Sequence, residues 1–442
     1  MRSVRLSGKK FPSGPGTSLA QLAPVQILWL KAGKLLPVDT GGKIRSFHLL
    51  RELSRRHEVT LLSYYGGAPD LEYERALVEV FPRAVAVSTR AAESPASMAF
   101  DYARKLPSGR PYAVAKFTAR PVRRLVARWD AERRFDALVC DFLAASLNVP
   151  RGRRTPAVLF QHNVESILWR RQADAERHPI KRLVFGIEAS RMARYERDAV
   201  RRFDRVIAVS EADRQAMGGM VSPDRISVVP TGVDAEAFRP MVRSASPAPI
   251  VLFLGSMDWE ANIDGVQYFV DAVWPAIRTA VPGARFQIVG RNPSAAVRRL
   301  ASADVEVVGT VPSVVEYLHQ AAAVVVPLRI GGGTRLKIYE AMAAGKAVIS
   351  TTIGAEGLDC RDGRDILIAD APGLFAERVV RVLQDPAWRR SIEDAAIELA
   401  SRYDWSAVAR VFEAALEHTI AAPPVRGAAE PGEEQAPQAL AQ

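Results

Sequence analysis

Val324-Val-Val-Pro-Leu-Arg-Ile-Gly-Gly-Gly-Thr-Arg-Leu-Lys-Ile-Tyr-Glu-Ala-Met-Ala-Ala-Gly345 reads as a buried strand, a triple-glycine bend and the start of a helix. The strand is apolar without alternation, the pattern of a parallel sheet covered on both faces. In such a sheet the bend lies at the carboxyl ends of the strands, where ligands bind, and the following helix presents unpaired N–H groups there. Gly331, Gly332 and Gly333 let backbone approach a diphosphate without interference from Cβ, while Arg335 and Lys337 add positive charge near the same helix start. Glu340, about one turn further on, has two carboxylate oxygens with which to hold two hydroxyls of a ribose or sugar.

The same alternation of short β-branched runs and amphipathic helical stretches extends in both directions. Upstream, strands are expected near Val25–Leu30, Glu58–Tyr64, Ala84–Ser88, Asp136–Asp141, Ala157–Gln161, Arg205–Ser210 and Ile226–Val229. The helix after the first of them places Ile44, Phe47, Leu50 and Leu53 on one face. A proline- and serine-bearing stretch around residues 241–249 breaks both periods and reads as a linker. A fresh series follows, with strands near Ile250–Leu254, Arg285–Val289, Val305–Val308, Ala323–Leu328, Ala347–Ser350 and Ile366–Ala369. One of its helices carries Ile263, Val266, Val270, Val273 and Ile277. The predicted class is α/β, with two doubly wound, Rossmann-like domains at 25–240 and 250–403. Residues 1–24 read as a disordered extension, 404–420 as a C-terminal helix, and 421–442, rich in Pro, Ala, Glu and Gln, as a disordered tail.

Composition narrows the function classes. A chain of 442 residues exceeds the roughly 250–300 at which single cores stop growing, which also favours two domains. With 48% hydrophobic and 25% charged residues it is a folding, soluble type, and no apolar run nears the ~20 residues of a membrane-crossing helix. The basic N-terminal stretch lacks the apolar segment of a secretory signal, and Cys140 and Cys360 have neither metal-like nor disulfide-framework spacing, so a reducing cytoplasm is expected. The net charge of +11 comes from arginines dispersed among acids, without the aromatic stacking positions of a nucleic-acid reader, so no nucleic-acid partner is expected. Its basic first half, including Lys181, Arg182, Arg191, Arg194 and Arg197, is suited to approach an anionic membrane face.

Three further sites sit at strand ends. Thr40-Gly41-Gly42, followed by Lys43 and Arg45, opens the first helix of the first domain, where a nucleotide fold admits phosphate. His162, in Gln161-His162-Asn163-Val164-Glu165, follows an apolar strand and is placed at its carboxyl end. Asp141 occupies a similar position.

Taken with Val209-Ser210-Glu211, Val229-Pro230-Thr231-Gly232-Val233-Asp234, Phe253-Leu254-Gly255-Ser256 and Gly309-Thr310-Val311, these motifs resemble those of the GT-B glycosyltransferases of family 4, in the family's order from about Ile27 to Tyr403. That large retaining family includes bacterial polysaccharide and lipopolysaccharide sugar transferases. The resemblance implies two Rossmann-like domains across a cleft, a UDP- or GDP-sugar donor, and a glycan or lipid-linked acceptor. It implies that Glu340 binds the donor ribose and His162 contacts the donor sugar near its reacting carbon. Gly41 and Gly42 would border the diphosphate and acceptor, and Gly309 and Val311 the base. Gly255, Ser256, Thr334 and Leu336 would complete the donor site, with Arg45 and Asp141 towards the acceptor. The chain departs from the family twice. Gly332 stands at the first position of the Glu-x7-Glu element, and the usual Arg and Lys diphosphate pair is absent from Ser256-Met257-Asp258-Trp259-Glu260-Ala261-Asn262, which leaves Arg335 and Lys337 to supply that charge.

Retaining transfer of this kind is expected to need no pair of catalytic carboxylates, because the departing diphosphate oxygen takes the acceptor's proton, and with no evident metal cluster in the sequence a metal-independent reaction without a cofactor is expected. Location in the cytoplasm, peripheral to the inner membrane face, is the matching expectation. A nucleotide-sugar 2-epimerase and a donor-binding subunit without turnover are the two other readings of such a chain.

Overall fold

Both stretches of β/α alternation fold as all-parallel sheets with the same strand order. The computed structural model describes residues 24–92, 94–176, 178–239, 248–330 and 336–422. The first sheet comprises β1 (Gln26–Ala32), β2 (Glu58–Gly66), β3 (Val85–Thr89), β4 (Ala137–Asp141), β5 (Ala157–Phe160), β6 (Arg205–Ala208) and β7 (Ile226–Val228), ordered β3-β2-β1-β4-β5-β6-β7. The second comprises β8 (Ile250–Leu254), β9 (Arg285–Val289), β10 (Val305–Gly309), β11 (Ala323–Val326), β12 (Ala347–Ser350) and β13 (Leu367–Ile368), ordered β10-β9-β8-β11-β12-β13. Each order reverses beside its first strand, between β1 and β4 and between β8 and β11, and the crevice at such a reversal is where open α/β sheets take ligands. The two-domain α/β expectation is met.

The central strands are buried on both faces, which is why they read as unbroken apolar runs: Ile27 to Leu30 and Ala323 to Val326 are shielded from solvent. Lys31 is the exception, and its register against Asp141 on β4 puts the two side chains on the same face.

Five helices position the site. α1 (Gly41–Leu53) follows β1 and buries Leu49, Leu50 and Leu53, with Ile44 and Phe47 half-buried alongside. α2 (Glu165–Ala175) and the long α3 (Pro179–Arg202) pack as a hairpin. Glu196 of α3 accepts hydrogen bonds from the backbone N–H of Glu165 and Ser166, capping α2 from a distance. α4 (Leu336–Ala343) follows the three successive glycines in the sequence. α5 (Trp405–Ala421) leaves the second domain and packs on the first. Phe412 stacks on Trp29 with ring centroids 5.5 Å apart and meets Phe160 edge-on. The crossing is held by Val233 N–H to Tyr403 O at 2.8 Å and Trp405 N–H to Val233 O at 3.2 Å.

The apolar stretch from Ile263 to Ile277 is helical but interrupted. A π turn at Phe269–Val273 separates Glu260–Tyr268 from Trp274–Ala280. Pro275 has no N–H to give and its ring crowds the preceding turn, which widens to accommodate it.

Candidate active site

The carboxyl ends of the two sheets face each other, and two helix starts meet between them. α1 opens at Thr40 with no side-chain cap and no acidic residue in its first turn, so its first N–H groups stay available. A Cβ on Gly41 would lie 3.3 Å from Leu336 Cδ1, at the first described residue of α4. A Cβ on Gly42 would lie 3.3 Å from the Phe142 ring and 3.5 Å from His162 Nδ1. Glycine is what lets this turn approach both the opposite domain and the histidine.

His162 is 1% exposed, set between the rings of Phe142 and Phe160 at 4.2 and 4.4 Å. Its Nε2 stands 2.9 Å from Asp141 Oδ1, close enough for charge attraction but off the line of a hydrogen bond, and its Nδ1 makes no hydrogen bond to protein. Burial pulls the imidazole down to about 4 against the opposing pull of Asp141, so the ring is neutral at neutral pH. Asp141 Oδ2 accepts from Trp29 Nε1 at 3.0 Å, Lys31 Nζ at 3.0 Å and Ser46 Oγ at 2.6 Å. Burial would raise this carboxyl, yet Lys31, His162 and Ser46 together hold it well below the usual range. Arg45 is buried beside it, with Nη2 on Thr231 Oγ1 and Nη1 3.5 Å from His162 O. Burial lowers its guanidinium only to about 10, so it remains charged.

Arg45 and Asp141 thus differ from the expectation that they face an acceptor. At 5% and 0% exposed they form the floor beneath His162, because desolvated charges are tolerated only where each has a partner. Trp29, Lys31 and Ser46, which complete that floor, were not singled out in the sequence.

On the opposite wall, Lys337 runs from α4 to the end of β8. Its Nζ donates to Asn262 Oδ1 at 2.9 Å, lies 4.4 Å from the Phe253 ring centre, and would be 2.7 Å from a Cβ on Gly255. Glu340 is half-buried, and burial pushes its carboxyl up to about 7 despite the pull of Lys337. Gly255 N–H bonds Val289 O and Gly290 N–H bonds Gly309 O, which draws the ends of β8, β9 and β10 into one rim. Gly309 has a φ of +85°, and Val311 just beyond is half-buried. Ser256 Oγ accepts from Arg291 Nε at 2.8 Å, and Arg291 also reaches Asp39 of the first domain, with Nη1 3.2 Å from the Asp39 carbonyl oxygen. Arg291 was missed in the sequence, although Gly290-Arg291 after an apolar strand is the strand-end signal that singled out His162. Gly331, Gly332, Gly333, Thr334 and Arg335 lie outside the described residues.

A second cross-domain pair, Arg171 to Glu356 at 3.3 Å, borders a cavity of about 170 Å³ lined by Asn163, Val164, Ile167, Ser210 and Asp213. Among the described residues, no group of three or more His, Cys, Asp or Glu side chains is arranged to hold a metal ion, and no helix is long and apolar enough to cross a membrane.

Comparison with known proteins bears on this arrangement. The family model "Glycosyltransferase Family 4" matches residues 40–237, and "Glycosyl transferases group 1" matches 248–385. A phosphatidyl-myo-inositol mannosyltransferase of Mycobacterium tuberculosis is 28% identical over 225 residues, covering 47% of this chain and 58% of that protein. A D-inositol 3-phosphate glycosyltransferase of Frankia alni is 27% identical over 45% of this chain and 54% of its own length. The chain thus spans rather over half the length of these curated relatives. Sucrose-phosphate synthase from Thermosynechococcus elongatus superimposes with a TM-score of 0.65 at 17% identity, over 90% of this chain and 99% of that one. Anabaena HepE in complex with UDP does so with a TM-score of 0.61 at 15% identity, over 89% of this chain and 100% of that one. With a glycosyltransferase family model on each domain, at 40–237 and 248–385, and superposition of 90% of the chain on a GT-B structure, the chain belongs to the glycosyltransferases and has the GT-B fold.

Proposed function

We propose that this glycosyltransferase moves a hexosyl group from a UDP- or GDP-sugar to a glycan or lipid-linked acceptor, with retention of configuration, in cell-surface polysaccharide synthesis. The observation that carries the reading is the meeting of α1 and α4 at Gly41 and Leu336, with Lys337 delivered to the end of β8. Two positive helix ends and a cation converge there, as stabilising charge on a departing diphosphate requires. The names of the relatives, a mannosyltransferase and an inositol-phosphate glycosyltransferase, and the UDP held by HepE agree with it.

In this reading Glu340 takes the ribose hydroxyls, and His162 contacts the sugar. The negative charge of Asp141, 2.9 Å from Nε2, favours the imidazole proton on that nitrogen, which leaves Nδ1 beside Gly42 to accept from a sugar hydroxyl. The leaving oxygen, held by N–H dipoles and by Lys337 and Arg335, takes the acceptor's proton on the same face of the sugar, without a resident metal. The cavity between Asn163 and Asp213 suits the acceptor's sugar. α3 exposes Ile180, Leu183 and Ile187 next to Lys181 and Arg182, a surface suited to the interface of an anionic membrane.

Thermal-shift measurement against nucleoside diphosphates, followed by turnover with UDP- and GDP-sugars in EDTA, tests the reading. Stabilisation by UDP or GDP and acceptor-dependent release of that nucleotide are expected, and both should be lost when Arg335 and Glu340 are replaced together. An epimerised donor, or binding without turnover, would select the other two readings. Flotation with anionic but not neutral liposomes is the outcome expected for the membrane surface.

A further inference from the structure

Arg291 follows β9 and is braced by its own backbone, whose carbonyl accepts from Met257 N–H at 2.8 Å. Its guanidinium leaves the second domain. Nε donates to Ser256 Oγ and lies 3.6 Å from Asp258 Oδ2, while Nη1 lies 3.2 Å from the Asp39 carbonyl oxygen and 3.4 Å from Asp39 Oδ2. The other carboxylate oxygen of Asp39 holds Lys43 Nζ at 2.9 Å. One carboxylate therefore draws a cation from each domain, and it does so two residues before Gly41, at the uncapped start of α1. Asp39 is an anion placed where a helix end, Arg291 and Lys43 converge. Its side chain is 40% exposed and that of Arg291 35%, so this pair is weakly held and open to exchange, unlike the sealed Lys31–Asp141 pair beneath it.

We propose that Asp39 is a built-in stand-in for the donor's diphosphate, and that Arg291 exchanges Asp39 for the diphosphate when the nucleotide-sugar binds. The proposal rests on the donor reading above and adds to it a residue and a competition. Arg291 replaces the cationic pair absent after β8, since its planar fork already reaches Ser256 at that strand's end and has further N–H groups to turn onto phosphate oxygens. The Asp39 bridge links the two domains while the site is empty, and the incoming diphosphate displaces it. Donor binding and the relation between the domains are coupled through one arginine.

Isothermal titration of the full chain with UDP, GDP and the matching monophosphates tests this. Arg291→Ala should weaken the preferred nucleoside diphosphate by about tenfold or more, and the monophosphate by less, through loss of a charge-assisted contact. Asp39→Asn, which removes the competitor, should tighten the diphosphate by about threefold or more. The opposite signs are the signature. If both variants weaken binding together, the bridge is a structural clamp and the proposal falls. Unchanged affinity in Arg291→Ala overturns it equally. Wild-type protein that binds neither UDP nor GDP overturns the donor reading and this proposal with it, whereas the first two outcomes leave the donor reading standing.

Discussion

The two walls of the cleft follow opposite electrostatic plans. In the first domain, Lys31, Asp141, Ser46, Trp29 and His162 are sealed from water and bound to one another. In the second, Lys337, Glu340 and Arg291 are half-exposed and gathered around glycine-rich strand ends. The first arrangement fixes one neutral imidazole in place. The second keeps charge where it can meet a ligand. Rigidity and adjustable charge are thereby divided between domains, and substitutions on the two walls should fail in different ways.

The largest difference is expected from Asp141→Ala. It leaves Lys31 buried with no counter-charge, at a cost of about 3–5 kcal/mol in urea unfolding. Lys337→Met on the other wall should change stability by less than about 1 kcal/mol while abolishing measurable nucleoside diphosphate binding. Equal losses of stability in the two variants would break the comparison.

The next effect concerns which domain owns the last helix. Phe412 lies in α5, far along the chain from Trp29 and Phe160, yet it packs against both. Phe412→Ala should cost about 3–4 kcal/mol by opening a cavity in the first domain. Hydrogen exchange should then rise in β1 and β5 and stay unchanged in β8 and β11. Faster exchange confined to the second domain would contradict the packing.

How much of this was legible in the sequence depends on the range of the interaction that decides it. Strands Arg285–Val289 and Ala347–Ser350 have the bounds expected from the sequence. The strand at Ala323 stops at Val326, before the expected Leu328, because Pro327 has no N–H for the ladder. The places of His162, just after β5, and of Glu340, in α4, were readable because each follows a local strand-to-helix pattern. The floor beneath His162 was not: Lys31 and Ser46 reach Asp141 across 110 and 95 residues of chain, and a single lysine in an apolar run looks like a strand end. The amphipathic period of α5 says that one face is buried but not against which sheet, so its return to the first domain had no local signal. Arg291 carried the right local pattern and was passed over beside the more conspicuous glycine triplet.

The smallest expected effect separates the walls by pH. His162 has its proton affinity lowered from 6.5 to about 4 by burial, so the unfolded chain binds the extra proton between those values and stability falls as pH drops through that window. Glu340 is shifted the other way, from 4.5 to about 7, so the folded chain holds the extra proton and stability falls as pH rises from 4.5 to 7. Between pH 4.5 and 6.5 the two slopes oppose each other and largely cancel in the wild type. Glu340→Gln removes only the second. Relative to wild type, the variant should therefore gain about 2 kcal/mol between pH 4.5 and 7 and nothing further above it, the half-buried carboxyl's contact with solvent keeping the gain below the full shift. Urea midpoints at intervals across pH 4–8 would read this directly. A gain that appears instead as pH falls would mean that Glu340 is ionised in the folded protein by a stronger cation than Lys337, and that the second wall is as tightly paired as the first.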